Sequence, residues 1–381
     1  MKIAFLSKMF PPRGGGSAIY VFELANALGQ RGHQVDVYTQ SSTTDVPRDV
    51  HDNVTVFDIV SEHRELVTLE TLYYNLVARR EVDTSEYDVL HGTLMPASTV
   101  AFSRTDVPVV VTSHSFAPSE VMAHSAEQPA DFLLKYVFHP MNAVMDTVAA
   151  RMADHVIAIS TEMQDQLIER YRLSPEQVTL IHHGVDTDRF CPRTESHPAV
   201  SEENLTLLFV GRLITRKGAD LALRSVGEME YDNVELLIAG AGRREPRLRQ
   251  LAAELGVSDR VRFLGFVPDA DLPLLYASAD VLLFTSNYEG FGLVFLEAMA
   301  SGTPVVGPPV GGIPDVVRDG ESGYIVPRRA TAIAETVTRL IKQPRQLHYL
   351  SHGAYREAKQ RDWISVARRV EHVYDSVRNG T

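Results

Sequence analysis

Two glutamates eight residues apart, Glu289 and Glu297, stand in the stretch Asn-Tyr-Glu-Gly-Phe-Gly-Leu-Val-Phe-Leu-Glu-Ala-Met-Ala-Ser-Gly that runs from Asn287 to Gly302. Glu289 follows the apolar run Val281 to Phe284 in a glycine-bearing turn, and Glu297 falls inside a helix that Gly302 should end. The spacing puts one carboxylate at the tip of a strand-to-helix loop and the other about two turns into the helix, on roughly the same side. Between them Gly290, Phe291 and Gly292 let backbone approach a ligand, and the free amides at the helix start, around Leu293, favour an anion. A polyhydroxylated ligand that also carries phosphate suits this chemistry. An acidic first turn stabilised by the helix dipole explains any single glutamate there. It does not explain Glu297, which shares its helix with Leu293, Leu296 and Ala300 and should be partly covered.

Further chemistry-bearing residues sit at other strand ends. Arg212 and Lys217 flank a glycine loop after the run Leu205 to Val210, where fixed positive charge can neutralise a leaving diphosphate or simply be solvated. His114 follows Val109-Val110-Val111-Thr112-Ser113 and should emerge at the C-terminal end of a strand, where open α/β sheets bind ligands. Gly14, Gly15 and Gly16 precede a helix and suit either phosphate binding or tight turning. His182 and His183 are adjacent and point to opposite faces, so they do not chelate one metal and read as a turn. Gly240-Ala241-Gly242 lacks a small residue three positions on, at Glu245, which disfavours nicotinamide binding.

The elements that must position these residues alternate regularly. Ile3 to Leu6 reads as a buried strand, Ser17 as the N-cap of a helix with the stripe Val21, Leu24, Ala25 and Leu28, and Val35 to Tyr38 as the next strand. This strand, glycine loop, helix and strand open a doubly wound α/β domain. Further strands are expected at Val89 to His91, Val109 to Thr112, His155 to Ile159 and Val178 to Ile181. Asp188 to Glu203 is polar and reads as an interdomain linker. Beyond it the alternation restarts, with strands at Leu205 to Val210, Val234 to Ala239, Val261 to Val267, Val281 to Phe284 and Pro304 to Val306. Gly311 and Gly312 offer another close backbone approach, and Asp362 to Val377 carries a helical stripe with Trp363 and Tyr374.

The 381 residues allow two domains of ordinary size, and 44% hydrophobic with 23% charged residues is a soluble globular composition. A net charge of −12 argues against nucleic-acid binding. The single cysteine, Cys191, excludes an intrachain disulfide and a thiolate metal cluster and fits a cytoplasmic compartment. No run is long enough to span a membrane. The apolar face of Asp131 to Met152, interrupted by Pro140, reads as a packed helix, with peripheral contact at the inner membrane face as the alternative.

The motif EGFGLVFLE, a Glu followed by seven residues and a second Glu, resembles that of retaining GT-B glycosyltransferases, in particular glycosyltransferase family 4. The resemblance covers nearly the whole chain in order. It implies two Rossmann-like doubly wound domains facing a central cleft, with residues 1–190 binding the acceptor, 191–360 binding the nucleotide-sugar donor, and 361–381 crossing back as a helix onto the first domain. By it Glu289 meets the donor sugar and Glu297 the ribose, while the amides of Gly290, Phe291, Gly292 and Leu293, with Gly15 and Gly16, hold diphosphate. Arg212 and Lys217 become the diphosphate clamp, His114 a polar contact to the sugar or leaving group, and Val267, in the loop Phe266-Val267-Pro268, a donor contact. Gly312 is a further candidate near the donor. Family members usually carry Asn where His183 stands.

The expected reaction moves a sugar from a UDP-sugar or GDP-mannose type donor to an acceptor hydroxyl in glycan, glycolipid or polysaccharide synthesis, without metal or other cofactor. The acceptor, lipid-linked, polysaccharide or small, is left open. A hydrolysing nucleotide-sugar epimerase of the same fold and a non-catalytic nucleotide-sugar binding protein are the alternatives.

Overall fold

The structure is a computed structural model that describes the chain except residues 12–14, 41–48, 61–66, 95–97, 100–101, 103–104, 116–138, 202, 232 and 381. It forms two compact units, Met1–His183 with Trp363–Thr381, and Gly184–Asp362.

The first unit contains, in order, β1 (Lys2–Leu6), α1 (Gly16–Gln30), β2 (Gln34–Thr39), β3 (Val54–Asp58), α2 (Val67–Glu81), β4 (Val89–Leu94), β5 (Val109–Ser113), α3 (His139–Met152), β6 (His155–Ala158), α4 (Thr161–Tyr171) and β7 (Val178–Leu180). The strands form one sheet in the order β3-β2-β1-β4-β5-β6-β7, with every pairing parallel. Burial on both faces explains why β1, β4 and β5 read as near-continuous apolar runs. The C-terminal helix, Trp363–Asn379, packs on α1 and buries Trp363, Val366, Val370, Val373 and Tyr374. Glu371 on that helix joins Arg31 at 2.5 Å and His33 at 2.8 Å.

In the second unit the order is β8 (Leu205–Val210), α5 (Ala219–Gly227), β9 (Val234–Ala239), α6 (Glu245–Glu254), β10 (Val261–Gly265), α7 (Leu272–Ser278), β11 (Val281–Leu283), α8 (Leu293–Ala300), β12 (Val305–Gly307), α9 (Ile313–Val316), β13 (Gly323–Ile325), α10 (Ala330–Lys342) and α11 (Pro344–Lys359). Its sheet runs β10-β9-β8-β11-β12-β13, again wholly parallel. In both sheets the order reverses beside the first strand, at β1/β4 and at β8/β11, and such reversals open a crevice at the strand C-termini.

Several expectations need correction. The helix α1 begins at Gly16 with Gly15 as cap, not at Ser17, because the Gly15 carbonyl already accepts from the amides of Ala18 and Ile19. Gly265, at φ +69, turns the chain out of β10 two residues before Val267. The polar stretch 188–203 belongs to the body of the second unit. Phe190 is buried against Tyr276, Arg189 pairs with Asp269 at 2.9 Å, and the His197 amide donates to Ser278 Oγ at 2.8 Å. Of the stretch read as one interrupted helix, 131–138 lies outside the described residues, and His139–Met152 is helical through Pro140. Met141, Val144, Val148 and Met152 lie exposed along α3. Among the described residues no helix is long and apolar enough to cross a membrane.

Candidate functional site

In the second unit, the two loops that flank the reversal point carry the chemistry. The loop after β8 runs through Arg212 to Gly218, and the loop after β11 through Thr285 to Gly292. They are docked on each other by backbone. The Asn287 amide donates to the Arg216 carbonyl at 2.8 Å and Thr285 Oγ1 to the Lys217 carbonyl at 3.3 Å. Gly218 makes this possible: its φ is +70, and a Cβ there would stand 2.2 Å from the Thr285 carbonyl oxygen.

The docking brings Lys217, Arg216 and Glu289 together. Lys217 Nζ donates to Glu289 Oε1 at 2.5 Å, Arg216 Nη1 to Oε2 at 3.2 Å, and Ser286 Oγ to Oε1 at 2.8 Å. Arg216 also donates to the Tyr288 carbonyl at 2.8 Å, which fixes its guanidinium. Glu289 is 8% exposed. Burial by itself pushes the Glu289 carboxyl up, but the charges of Lys217 and Arg216 and the bonds from Lys217 and Ser286 outweigh it and hold the group below its ordinary value. Burial pushes the Lys217 ammonium down, Glu289 opposes this, and Arg216 and Arg212 add to it. The exposed Arg212 therefore contributes to one positive field with Arg216 and Lys217.

The stretch between the two glutamates leads directly into α8. Gly292 caps α8 at φ +103 without a side-chain cap, and its carbonyl accepts from the Phe295 amide at 3.1 Å. The Phe291 side chain is not available to a ligand, since it is buried and packs on Phe295 at 5.3 Å. Leu293 and Gly290 are buried as well, which leaves their backbone as the usable part. Gly312 approaches this loop, not open space: its amide donates to the Phe291 carbonyl at 2.9 Å, and a Cβ would lie 2.4 Å from the Phe291 ring. Glu297, half-buried on α8, accepts from Tyr276 Oη at 3.0 Å. Val267 is half-buried in the loop after β10, beside Phe266, which is 79% exposed.

The glycines Gly240 and Gly242 hold the Arg212 loop. A Cβ at Gly240 would fall 1.9 Å from the Gly211 carbonyl oxygen, and one at Gly242 2.5 Å from that of Leu213. The Gly211, Leu213 and Arg244 amides knit the same two loops through the Ala239, Ala241 and Leu213 carbonyls. These glycines permit the close packing of the two loops.

In the first unit, His114 leaves the end of β5 and both its ring nitrogens are buried without a hydrogen-bond partner. Its ring meets Tyr20 at 4.7 Å and His183 at 5.5 Å. Tyr20 comes from α1, one turn after Gly15 and Gly16, which are exposed. Tyr20 Oη and His91 Nε2 both meet Thr112 Oγ1, at 2.9 and 2.8 Å, and His91 Nδ1 meets Tyr374 Oη at 2.5 Å. Burial drives His91 and His114 down to about 3 and pushes His183 the same way, so all three rings are neutral near pH 7. His183, read as a turn residue, is in fact 3% exposed and packs on Tyr20 at 5.0 Å and Trp363 at 6.1 Å.

Sequence reasoning missed Arg216, Ser286 and Tyr276. Arg216 lay in a loop already named, and its adjacency to Lys217 was the available signal; Ser286 and Tyr276 carried none. No group of three or more His, Cys, Asp or Glu that could hold a metal ion occurs among the described residues.

Comparison with known proteins follows the same division of the chain. The family model described as "Glycosyltransferase Family 4" matches residues 14–189, and that described as "Glycosyl transferases group 1" matches residues 193–357. The D-inositol 3-phosphate glycosyltransferase of Thermomonospora curvata is 32% identical, over 96% of this chain and 91% of that one. Among solved structures, sucrose-phosphate synthase from Thermosynechococcus elongatus superposes with a TM-score of 0.84 at 22% identity, covering 100% of both chains. Anabaena HepE in complex with UDP-glucose gives 0.74 at 20% identity, covering 99% of this chain and 100% of that one.

Proposed function

The chain belongs to glycosyltransferase family 4 and is a glycosyltransferase of the GT-B type, and from that premise we propose that it transfers a sugar, with retention of anomeric configuration, from a UDP-sugar to an acceptor hydroxyl. The observation that carries this reading is the buried Glu289 held by Lys217 and Arg216 beside the uncapped start of α8. A glycosyl transfer releases a nucleoside diphosphate while the sugar passes through an oxocarbenium-like state. Arg212, Arg216, Lys217 and the α8 amides meet the charge on the departing phosphate, and no metal enters the scheme. Glu289, kept ionised, orients the sugar. Glu297 accepts from the ribose hydroxyls. His114, neutral and with both nitrogens uncommitted to protein, is assigned a polar contact to the sugar. The leaving phosphate removes the proton of the acceptor hydroxyl on the same face of the sugar, so no enzyme nucleophile is needed.

Uridine is favoured as the donor base because the similar HepE structure holds UDP-glucose. The relatives named D-inositol 3-phosphate glycosyltransferase make a phosphorylated polyol the first acceptor to test, ahead of lipid-linked and polysaccharide acceptors. The reading places the enzyme in the cytoplasm, with α3 as the face for any peripheral membrane contact.

Thermal stabilisation by UDP and UDP-sugars is the primary test. UDP should raise Tm in the wild type, and Lys217→Ala and Glu297→Ala should abolish most of the shift. With an acceptor supplied, the anomeric configuration of the product read by NMR should match that of the donor, in buffer containing EDTA. An inverted anomer would overturn retention; sugar released or epimerised with no acceptor would indicate the hydrolysing epimerase, and binding without turnover a nucleotide-sugar binding protein.

A further inference from the structure

We propose that Tyr276 is a positioning residue for the donor, acting through Glu297: its phenol holds the carboxylate in the one orientation that receives both ribose hydroxyls. This rests on the reading above that Glu297 binds the ribose. The phenol of Tyr276 is completely buried on α7 and donates to Glu297 Oε2 at 3.0 Å. Burial first, and then the Glu297 charge, raise the phenol well above its ordinary value, so it remains a donor throughout the working pH range.

Tyr276 is itself fixed from several sides. Thr303, buried just beyond α8, donates through Oγ1 to the Tyr276 carbonyl at 2.5 Å and to the Ala279 carbonyl at 3.2 Å. The Thr303 amide returns to the Ala298 carbonyl of α8 at 2.8 Å. Phe190 packs against the phenol ring at 5.9 Å, edge to face. α7 and α8 are thereby bolted together at the point where the phenol meets the carboxylate.

The bond from Tyr276 restricts the rotamers of Glu297, and fixing a side chain on binding costs entropy. The phenol prepays that cost in the free protein. A carboxylate has about four acceptor positions, and the bond from Tyr276 takes one of them. A buried phenol needs a partner in any case, and the test must separate that structural need from an effect on ribose.

The experiment compares UDP with 2′,3′-dideoxy-UDP by isothermal titration calorimetry, on wild type, Tyr276→Phe, Glu297→Gln and the double variant. Wild type should bind UDP more tightly than the dideoxy form by about tenfold or more, the scale of hydrogen bonds to a charged group. Tyr276→Phe should weaken UDP by about three- to tenfold and leave dideoxy-UDP nearly unchanged, so the ratio contracts. In the Glu297→Gln background the same change should do little, because the two residues act as a unit.

Equal binding of UDP and dideoxy-UDP by wild type, or no UDP binding at all, would overturn the ribose role of Glu297 and the proposal with it. A wild-type preference that Tyr276→Phe preserves, or an equal loss for both ligands, would overturn the positioning role alone. Should Tyr276→Phe fail to fold, Thr303→Val removes the hydroxyl that anchors the Tyr276 carbonyl and keeps the phenol. It should contract the ratio in the same direction, and an unchanged ratio counts against the proposal.

Discussion

Glu289 and Lys217 illustrate how one buried pair joins stability to chemistry. Each lies in a place that disfavours its charge, and each favours the charged form of the other, Glu289 with further help from Arg216 and Ser286. Lys217→Met should destabilise the chain by about 2–4 kcal/mol at pH 8, below the full cost of orphaning a buried ion because Arg216 remains at 3.2 Å. The sign with pH is determined. In the wild type the Glu289 carboxyl is held below its unfolded value, so its contribution is present at neutral pH and lost as pH falls through the folded value. In Lys217→Met the carboxyl loses the largest of the influences that hold it down, so that contribution shrinks. The stability gap between the two proteins should hold from pH 8 to about pH 5 and narrow as pH falls below the ordinary carboxyl value in urea titrations, and a gap that widens there would mean that Glu289 is not the group responsible. Glu289, Lys217 and Glu297 were legible from residue type and spacing. Arg216 and Ser286 were not, since nothing local says that a serine three residues before Glu289 turns its hydroxyl back to it.

Among the elements, the loops at the strand ends determine where those side chains point, and glycines determine how closely the loops pack. Gly240→Ala adds a Cβ 1.9 Å from the Gly211 carbonyl oxygen in a backbone at φ +147. It should cost at least about 2–4 kcal/mol and, by displacing the loop of Arg212 and Lys217, weaken UDP binding in the fraction that remains folded. Gly256→Ala is the control in the same unit. Its φ is +68 but nothing stands within 4 Å of a Cβ, so only backbone strain of about 1–2 kcal/mol is expected, with UDP binding retained. Denaturation midpoints and UDP-induced shifts in Tm check both, and equal losses in the two variants would argue against the close approach as the cause. The principal strands were legible as apolar runs because parallel strands are buried on both faces. β3 and β13 were not. Val54–Asp58 is a largely exposed edge strand, Gly323–Ile325 has three residues, and both owe their state to a neighbour that a local pattern does not contain.

Over the whole chain, the first unit is closed by contacts between residues far apart in sequence. The C-terminal helix supplies Tyr374 to His91 and Trp363 to Tyr20 and His183, while His114 packs on the same tyrosine. Three imidazoles held neutral by burial make this unit acid-sensitive. A histidine whose folded value lies below its unfolded 6.5 takes up a proton first in the unfolded chain, so stability is full above about pH 6.5 and drains as pH falls toward about 3. Each such group contributes a slope of up to about 1.4 kcal/mol per pH unit. Tm should therefore fall between pH 7.5 and pH 5, and fall less in His183→Asn, which removes one buried imidazole. A pH dependence identical in the two proteins would show that His183 takes no part.

The sequence alone determined the alternation of strands and helices, the repetition of that alternation in a second half, and the glutamates and basic residues of the proposed nucleotide-sugar site. Each of these is written in short-range patterns, through hydrophobic periodicity, glycine at turns and fixed spacing along a helix. The partners were decided only by tertiary structure. Lys217 and Arg216 meet Glu289 across 72 and 73 residues, Tyr276 meets Glu297 across 21, and His91 meets Tyr374 across 283. Such pairings arise when sheet order and loop packing bring distant segments together, and one segment's residues do not carry that information.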